Sequence, residues 1–256
     1  MKTIVALKQV PVRDSSVRID ARGKWFDEHD LSYETNESDA YALEAALLLK
    51  DKHGGEVVVL CAGPDRVVSS IREALAKGAD RAIHLACDDL PGLDSLTLGR
   101  RLAAAAAAEN ADLILTGLQS DDLGLGQTGV VMAESLGIPH ATIIMEVEKQ
   151  DGSVRVKREL EDGWFQWVEL PLPALLTIQS GISKLRYATL MGIKKVKTKE
   201  VRRIAPQELS GPRPAPVSIE RVYVPPRKKE ARMITGSAAE AATKLAEILK
   251  FEVRVL

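Results

Sequence analysis

Short apolar runs recur along the chain, each followed by a polar or glycine-bearing break and then a longer stretch with helical spacing. Thr3 to Leu7 is a compact first strand that ends at Lys8 and Pro11. Residues 12–35 are polar and irregular, with isolated aromatics at Trp25, Phe26 and Tyr33, and read as a hairpin or ordered excursion. Asn36-Glu37-Ser38 is a helix start, with Ala42, Leu43, Ala46, Leu47 and Leu49 on an apolar face that stops at Gly54-Gly55. Glu56 to Ala62 predicts a second buried strand, and Val67 to Lys77 a helix stopped by Gly78. Ala82 to Ala86, Leu96 to Glu109 and Leu113 to Leu115 repeat the strand, helix, strand order. A glycine-rich helix follows, then a break at Gly137-Ile138-Pro139 and a fifth strand from Ala141 to Val147. Strands buried on both faces and alternating with helices predict an α/β fold: a mostly parallel, open, Rossmann-like sheet with helices on both sides.

The pattern then changes. Ser153 to Leu160 and Gln166 to Leu170 alternate around a turn near Asp162-Gly163, which predicts an antiparallel hairpin on the sheet edge. Trp164 and Trp167 read as packing residues of that hairpin, and Leu172 to Thr177 as a final short strand. Beyond Gly181 the chain no longer reads as a domain. Residues 1–182 form the expected α/β unit, 183–205 a lysine-bearing surface segment and 206–256 an extended arm. The arm is proline-rich from Pro206 to Pro226, then carries one capped amphipathic helix from Ala238 to Lys250. A helix with an apolar face and no core of its own must rest on something, either its own domain or another polypeptide. The proline-rich reach favours another polypeptide.

Candidate chemistry concentrates between Leu113 and Gly129, where a strand empties into a polar loop and glycines precede a helix. That arrangement holds phosphorylated ligands, because first-turn N–H groups lack intrahelical partners and attract anions. Gly124-Leu125-Gly126-Gln127-Thr128-Gly129 matches the dinucleotide fingerprint in letters only. Residues 118–123 separate its glycines from the strand, whereas the fingerprint needs a tight turn straight off it. An ordinary strand-to-helix loop, equally rich in Gly and Asp, is the competing reading.

Composition narrows the classes. The formal net charge of −1 leaves no electrostatic footprint for nucleic acid. Cys61 and Cys87 lack metal spacing and read as buried apolar residues of a reduced protein. His29, His53, His84 and His140 are scattered, and no nucleophilic or paired-carboxylate constellation stands out, so neither catalytic side chains nor a metal site are expected. No signal peptide precedes the first strand and no apolar run reaches membrane-spanning length, which predicts a cytoplasmic protein without membrane insertion.

Five stretches in this order carry a resemblance: Val5-Ala6-Leu7-Lys8, Ala74 to Asp80, Thr116 to Asp122 with Gln127-Thr128-Gly129, Leu172 to Thr177, and Arg186-Tyr187-Ala188-Thr189-Leu190. The chain resembles the β subunit of electron transfer flavoprotein over essentially its whole length. The resemblance implies a heterodimer whose α subunit holds most of a redox-active FAD. It implies AMP, without a redox role, in the β subunit, or in electron-bifurcating members a second FAD reduced by NADH at the same place. The nucleotide site would comprise Ala6, Asn36, Glu37, Ser38, Asp39 and Ala62 with the loop Gly117, Leu118, Gln119, Ser120, Asp121, Asp122, Leu123, Gly124, Leu125, Gly126, Gln127 and Thr128. Thr128 and the N–H groups from Gly126 onward would meet the phosphate, and the backbone near Ala6 and Ala62 the adenine. Arg186, Tyr187, Leu190, Met191, Lys194 and Lys195 would dock flavin dehydrogenases such as acyl-CoA dehydrogenases, with Leu190 as the anchor. Electrons would pass on to a quinone reductase or another acceptor. The chain departs from the family at Asn36-Glu37-Ser38, where many relatives have Asn-Pro-aromatic, and at Ser120 to Leu123. A stand-alone nucleotide-binding regulator is the alternative from another class.

Overall fold

The computed structural model describes residues 1–88, 94–208, 217, 219–226 and 231–255. It forms two compact units, Met1–Val222 and Tyr223–Leu256.

The first unit is a nine-stranded sheet. In chain order its elements are β1 (Lys2–Leu7), β2 (Gln9–Pro11), β3 (Tyr33–Thr35), α1 (Glu37–His53), β4 (Glu56–Gly63), α2 (Val68–Lys77), β5 (Arg81–Ala86), α3 (Ser95–Ala107), β6 (Leu113–Gly117), α4 (Thr128–Leu136), β7 (His140–Lys149), β8 (Ser153–Glu159), β9 (Phe165–Pro171), β10 (Ala174–Ile178), α5 (Leu190–Lys195) and β11 (Val201–Ile204). The sheet order is β11-β5-β4-β1-β6-β10-β7-β8-β9, while β2 and β3 pair separately. From β11 to β7 neighbouring strands run parallel, and only the β7-β8-β9 end is antiparallel.

Alternation along each central strand divides its side chains between two cores. Val5, Val57, Val59, Leu113, Leu115 and Leu176 meet Leu43, Ala46 and Leu47 of α1 and Ile71 and Leu75 of α2. Ile4, Val58, Leu60, Ile83, Ile114 and Leu175 meet Leu102, Ala103 and Ala106 of α3 and Met132 of α4. Apolar residues at nearly every position of β1, β4 and β6 follow from burial on both faces. Helices α3 and α4 pack closely where Gly99 faces Val131: a Cβ there would lie 2.5 Å from a Val131 methyl. The excursion is ordered: β2 and β3 pair antiparallel across its base, and an Ile19–Phe26 bridge closes its tip.

Several sequence expectations need correction. The segment after Gly181 returns to the first unit, where α5 packs on α2 and β11 becomes the outermost parallel strand beside β5. Only Ile204 of β11 is buried, so the strand carries almost no apolar signature. Ala174–Ile178 is not the final strand, since β11 follows it, and it lies between β6 and β7. Of the two tryptophans expected to pack on the hairpin, Trp167 does so, beneath the Arg155 guanidinium of β8 at 4.3 Å, whereas Trp164 is 72% exposed. Hairpin alternation puts Phe165 and Trp167 on the face opposite Val168 and Leu170, which turn toward the core.

The second unit holds α6 (Ala238–Glu247), whose first turn is closed by a reciprocal Ser237–Glu240 capping box. The expected helix continues to Lys250 only as a wider turn, Ile248–Val253. Residues 209–216 and 218 of the proline-rich stretch, and Leu256, lie outside the described residues. Among the described residues no helix is long and apolar enough to cross a membrane.

Candidate functional site

β1 has β4 on one side and β6 on the other, so the chain order reverses at β1. Open α/β sheets form a crevice at the carboxyl ends of such strands. Here Ala6 from β1 and Lys8 just after it, Ala62 from β4 and Gly117 from β6 meet at one cleft, which continues along the loop to Gln127 and to Thr128 and Gly129 of α4. Of the residues expected there, Ala6, Asn36, Asp39, Ala62, Gly117, Leu118, Gln119, Ser120, Asp122, Leu123, Leu125, Gly126, Gln127 and Thr128 line it.

Glu37, Ser38, Asp121 and Gly124 do not line the cleft, and they serve the loop in other ways. Ser38 Oγ and Asn36 Nδ2 both donate to the Gln119 carbonyl, at 2.8 and 2.9 Å. Asn36 Oδ1 accepts from Asp121 N at 2.9 Å, and Asp121 accepts from Glu37 N at 3.2 Å. The turn before α1 therefore stitches the glycine-rich loop in place. Asn36 precedes α1 without capping it, because its amide is used on the loop instead. Gly124 N closes a turn on the Ser120 carbonyl at 2.8 Å, and Gly124 and Gly126 take φ of +61° and +62°. These two glycines shape the loop, so α4 begins only at Thr128.

Asp39 is the centre of this stitching. Its buried carboxylate accepts from Lys8 N at 2.7 Å and Gly117 N at 2.8 Å, joining the ends of β1 and β6. Burial pushes its carboxyl up to about 7 against the opposing pull of those N–H donors, Asn36 and Lys8. A Cβ on Gly117 would lie 2.3 Å from Asp39 Oδ1 and 2.2 Å from Ser38 Oγ, so only glycine permits this approach.

The start of α4 offers the cleft donors for an anion, while the basic side chains of the lining are already paired with carboxylates. Gln127 precedes α4 without a side-chain cap, which leaves the first-turn N–H groups of the helix open toward the cleft. Lys8 Nζ reaches Asp122 Oδ1 at 2.5 Å and Ser120 Oγ at 3.2 Å across the cleft mouth. Arg66 Nη2 donates to Glu28 at 2.9 Å, Nη1 to Gln9 Oε1 at 3.1 Å, and the guanidinium covers the Tyr33 ring at 4.1 Å. Trp25 and Phe26, stacked with centroids 4.6 Å apart, also line the cleft. Sequence reasoning missed this second group. Lys8 and Arg66 each follow a buried strand within a few residues, and that position was the available signal. Trp25, Phe26 and Tyr33 carried none beyond being aromatic in an irregular stretch.

The segment expected to dock partners is a separate surface. Tyr187, Leu190 and Met191 are 89%, 80% and 62% exposed, and Lys194 and Lys195 are exposed beside them. Arg186 turns the other way: its Nε donates to Glu44 Oε1 at 2.9 Å and its Nη2 to Asp51 at 2.8 Å on α1. Among the described residues no cluster of His, Cys, Asp or Glu could hold a metal ion.

Comparison with known proteins adds to this geometry. The electron transfer flavoprotein domain matches residues 24–209. The chain is 37% identical to the electron transfer flavoprotein subunit beta of Methylophilus methylotrophus, over 97% of this chain and 98% of that one. The chain belongs to the electron transfer flavoprotein β-subunit family. The mitochondrial electron transfer flavoprotein subunit beta of Oryza sativa subsp. japonica is 33% identical over the full length of both chains. A subunit of the caffeyl-CoA reductase-Etf complex of Acetobacterium woodii is 33% identical over 98% of each chain. Membership in the electron transfer flavoprotein family assigns the chain to electron transport as a β subunit.

Proposed function

We propose that this β subunit binds AMP in the cleft at the ends of β1, β4 and β6, and completes a heterodimer whose α subunit holds the redox-active FAD. The carrying observation is the uncapped start of α4 facing a cleft that also holds Lys8 and is closed by the Asn36–Asp39 stitching. A phosphate fits the open N–H groups from Thr128 onward, where the helix dipole favours negative charge. A purine fits against Ala6 and Ala62, whose small side chains leave room for a flat ring. AMP supplies no redox chemistry; it fills the cleft and braces the loop. Leu190 and its apolar neighbours dock flavin dehydrogenases, acyl-CoA dehydrogenases among them, while Lys194 and Lys195 favour encounter with acidic surfaces. The electrons go on to a quinone reductase or a similar acceptor.

Mass spectrometry of ligands released from the purified heterodimer tests this reading. One AMP and one FAD per heterodimer are expected. Two FAD would replace the reading with electron bifurcation, and an empty β subunit would point to a different role for the cleft.

A further inference from the structure

We infer that Glu44 on α1 is the positioning residue that holds the docking segment in the conformation presenting Leu190. The inference rests on the docking reading of that segment. The Glu44 side chain is 5% exposed, and a carboxylate buried to that degree requires a partner. Its partner is Arg186, which donates to it twice over, through the backbone N at 3.1 Å and through Nε at 2.9 and 3.0 Å. Asp51, two helical turns along α1 from Glu44, takes Nη2 of the same guanidinium. Arg186 is thus laid along α1 immediately before Tyr187 and four residues before Leu190.

Two further tethers hold the rest of the segment. Gly192 sits so close to α2 that a Cβ would lie 2.1 Å from the Ala76 carbonyl oxygen. Lys199 Nζ donates to the Leu75 and Ala79 carbonyls at the end of α2, at 2.8 and 2.5 Å. Between these tethers Tyr187, Leu190, Met191 and Ile193 remain exposed. An apolar anchor on a backbone already fixed by buried bonds loses little freedom when it docks, which raises affinity without adding a contact. Glu44 touches no partner in this arrangement and acts through the position of Leu190.

The test uses the full heterodimer with Glu44→Gln, which keeps the shape and removes the charge. Electron transfer is assayed with an acyl-CoA dehydrogenase reduced by its acyl-CoA. Trypsin cleavage after Lys194 or Lys195 is expected to quicken about 10-fold, and KM for the dehydrogenase to rise about 5-fold with kcat within about 2-fold. Nucleotide content should not change. Adding Leu190→Ala to Glu44→Gln should raise KM no further than Leu190→Ala alone, because the two act as one unit. If Glu44→Gln fails to fold, Glu44→Leu combined with Arg186→Met keeps the site filled and apolar and is read the same way. Unchanged cleavage and KM in a folded variant, or additive effects with Leu190→Ala, would overturn the inference. If Leu190→Ala alone leaves KM unchanged, the docking reading itself falls.

Discussion

Asp39 is the side chain through which the cleft depends on pH. It ties β1 to β6 through two backbone N–H groups, and burial raises its carboxyl to about 7. The native protein therefore binds this proton more tightly than the unfolded chain does. The sign follows: Asp39's contribution is full below its unfolded value near 4 and is lost as pH rises through about 7. Denaturant midpoints are expected to fall between about pH 4 and 7 and to level off above that, with a slope from this group of at most about 1.4 kcal/mol per pH unit. Asp39→Asn should lower stability throughout, since its amide N–H cannot accept from a backbone N–H, and should flatten that slope. A slope unchanged by Asp39→Asn would assign the pH dependence to other groups. The resemblance placed Asp39 in the nucleotide site, but its role as the tie between β1 and β6 was not legible in the sequence. Its importance comes from Gly117, 78 positions along the chain.

Whether an element could be read from the sequence depended on whether its burial was two-sided. Strands β1, β4 and β6 are apolar at almost every position and stand out against their glycine and proline boundaries. The β8-β9 hairpin could be read from its alternation, although alternation does not say which face is the inner one. The edge strand β11 reads Val201-Arg202-Arg203-Ile204, and its two arginines hide a pairing made mostly by backbone. The short helix α5 was hidden for a different reason: its seat on α2 is a backbone contact at Gly192. Gly192→Ala must lift α5 by more than an ångström, at a cost of about 1–3 kcal/mol. Hydrogen exchange of residues 187–195 should accelerate as a result while the β1 and β6 amides stay protected. Protection unchanged in the segment would show that α5 is held by other contacts.

At the scale of the whole molecule, the sheet unit ends at Val222 and the chain continues into a unit with few internal contacts. In that second unit Leu245, Phe251, Val253 and Val255 are all exposed. A short helical segment and tail with that many exposed apolar residues have their stability elsewhere. A chain ending at Val222 is expected to keep the melting temperature of the sheet unit within about 3 °C, since no core residue is removed, and to fail to co-purify with the α subunit. Co-purification at wild-type yield would show that the arm is not the grip. Parallel strands, their order of appearance and the helical cap at Ser237 could all be read from sequence. The return of residues 183–204 to the sheet could not, because its signals are single contacts: Arg186 on Glu44, Gly192 on Ala76 and Ile204 beside Leu85.

Val222 N donates to the Gly23 carbonyl at 2.8 Å, and Lys24 Nζ to the Ile219 carbonyl at 3.2 Å. The root of the arm is thus moored to the same excursion whose next two residues, Trp25 and Phe26, border the cleft. On the function proposed above, the nucleotide and the origin of the arm would share one short piece of backbone, residues 23–26.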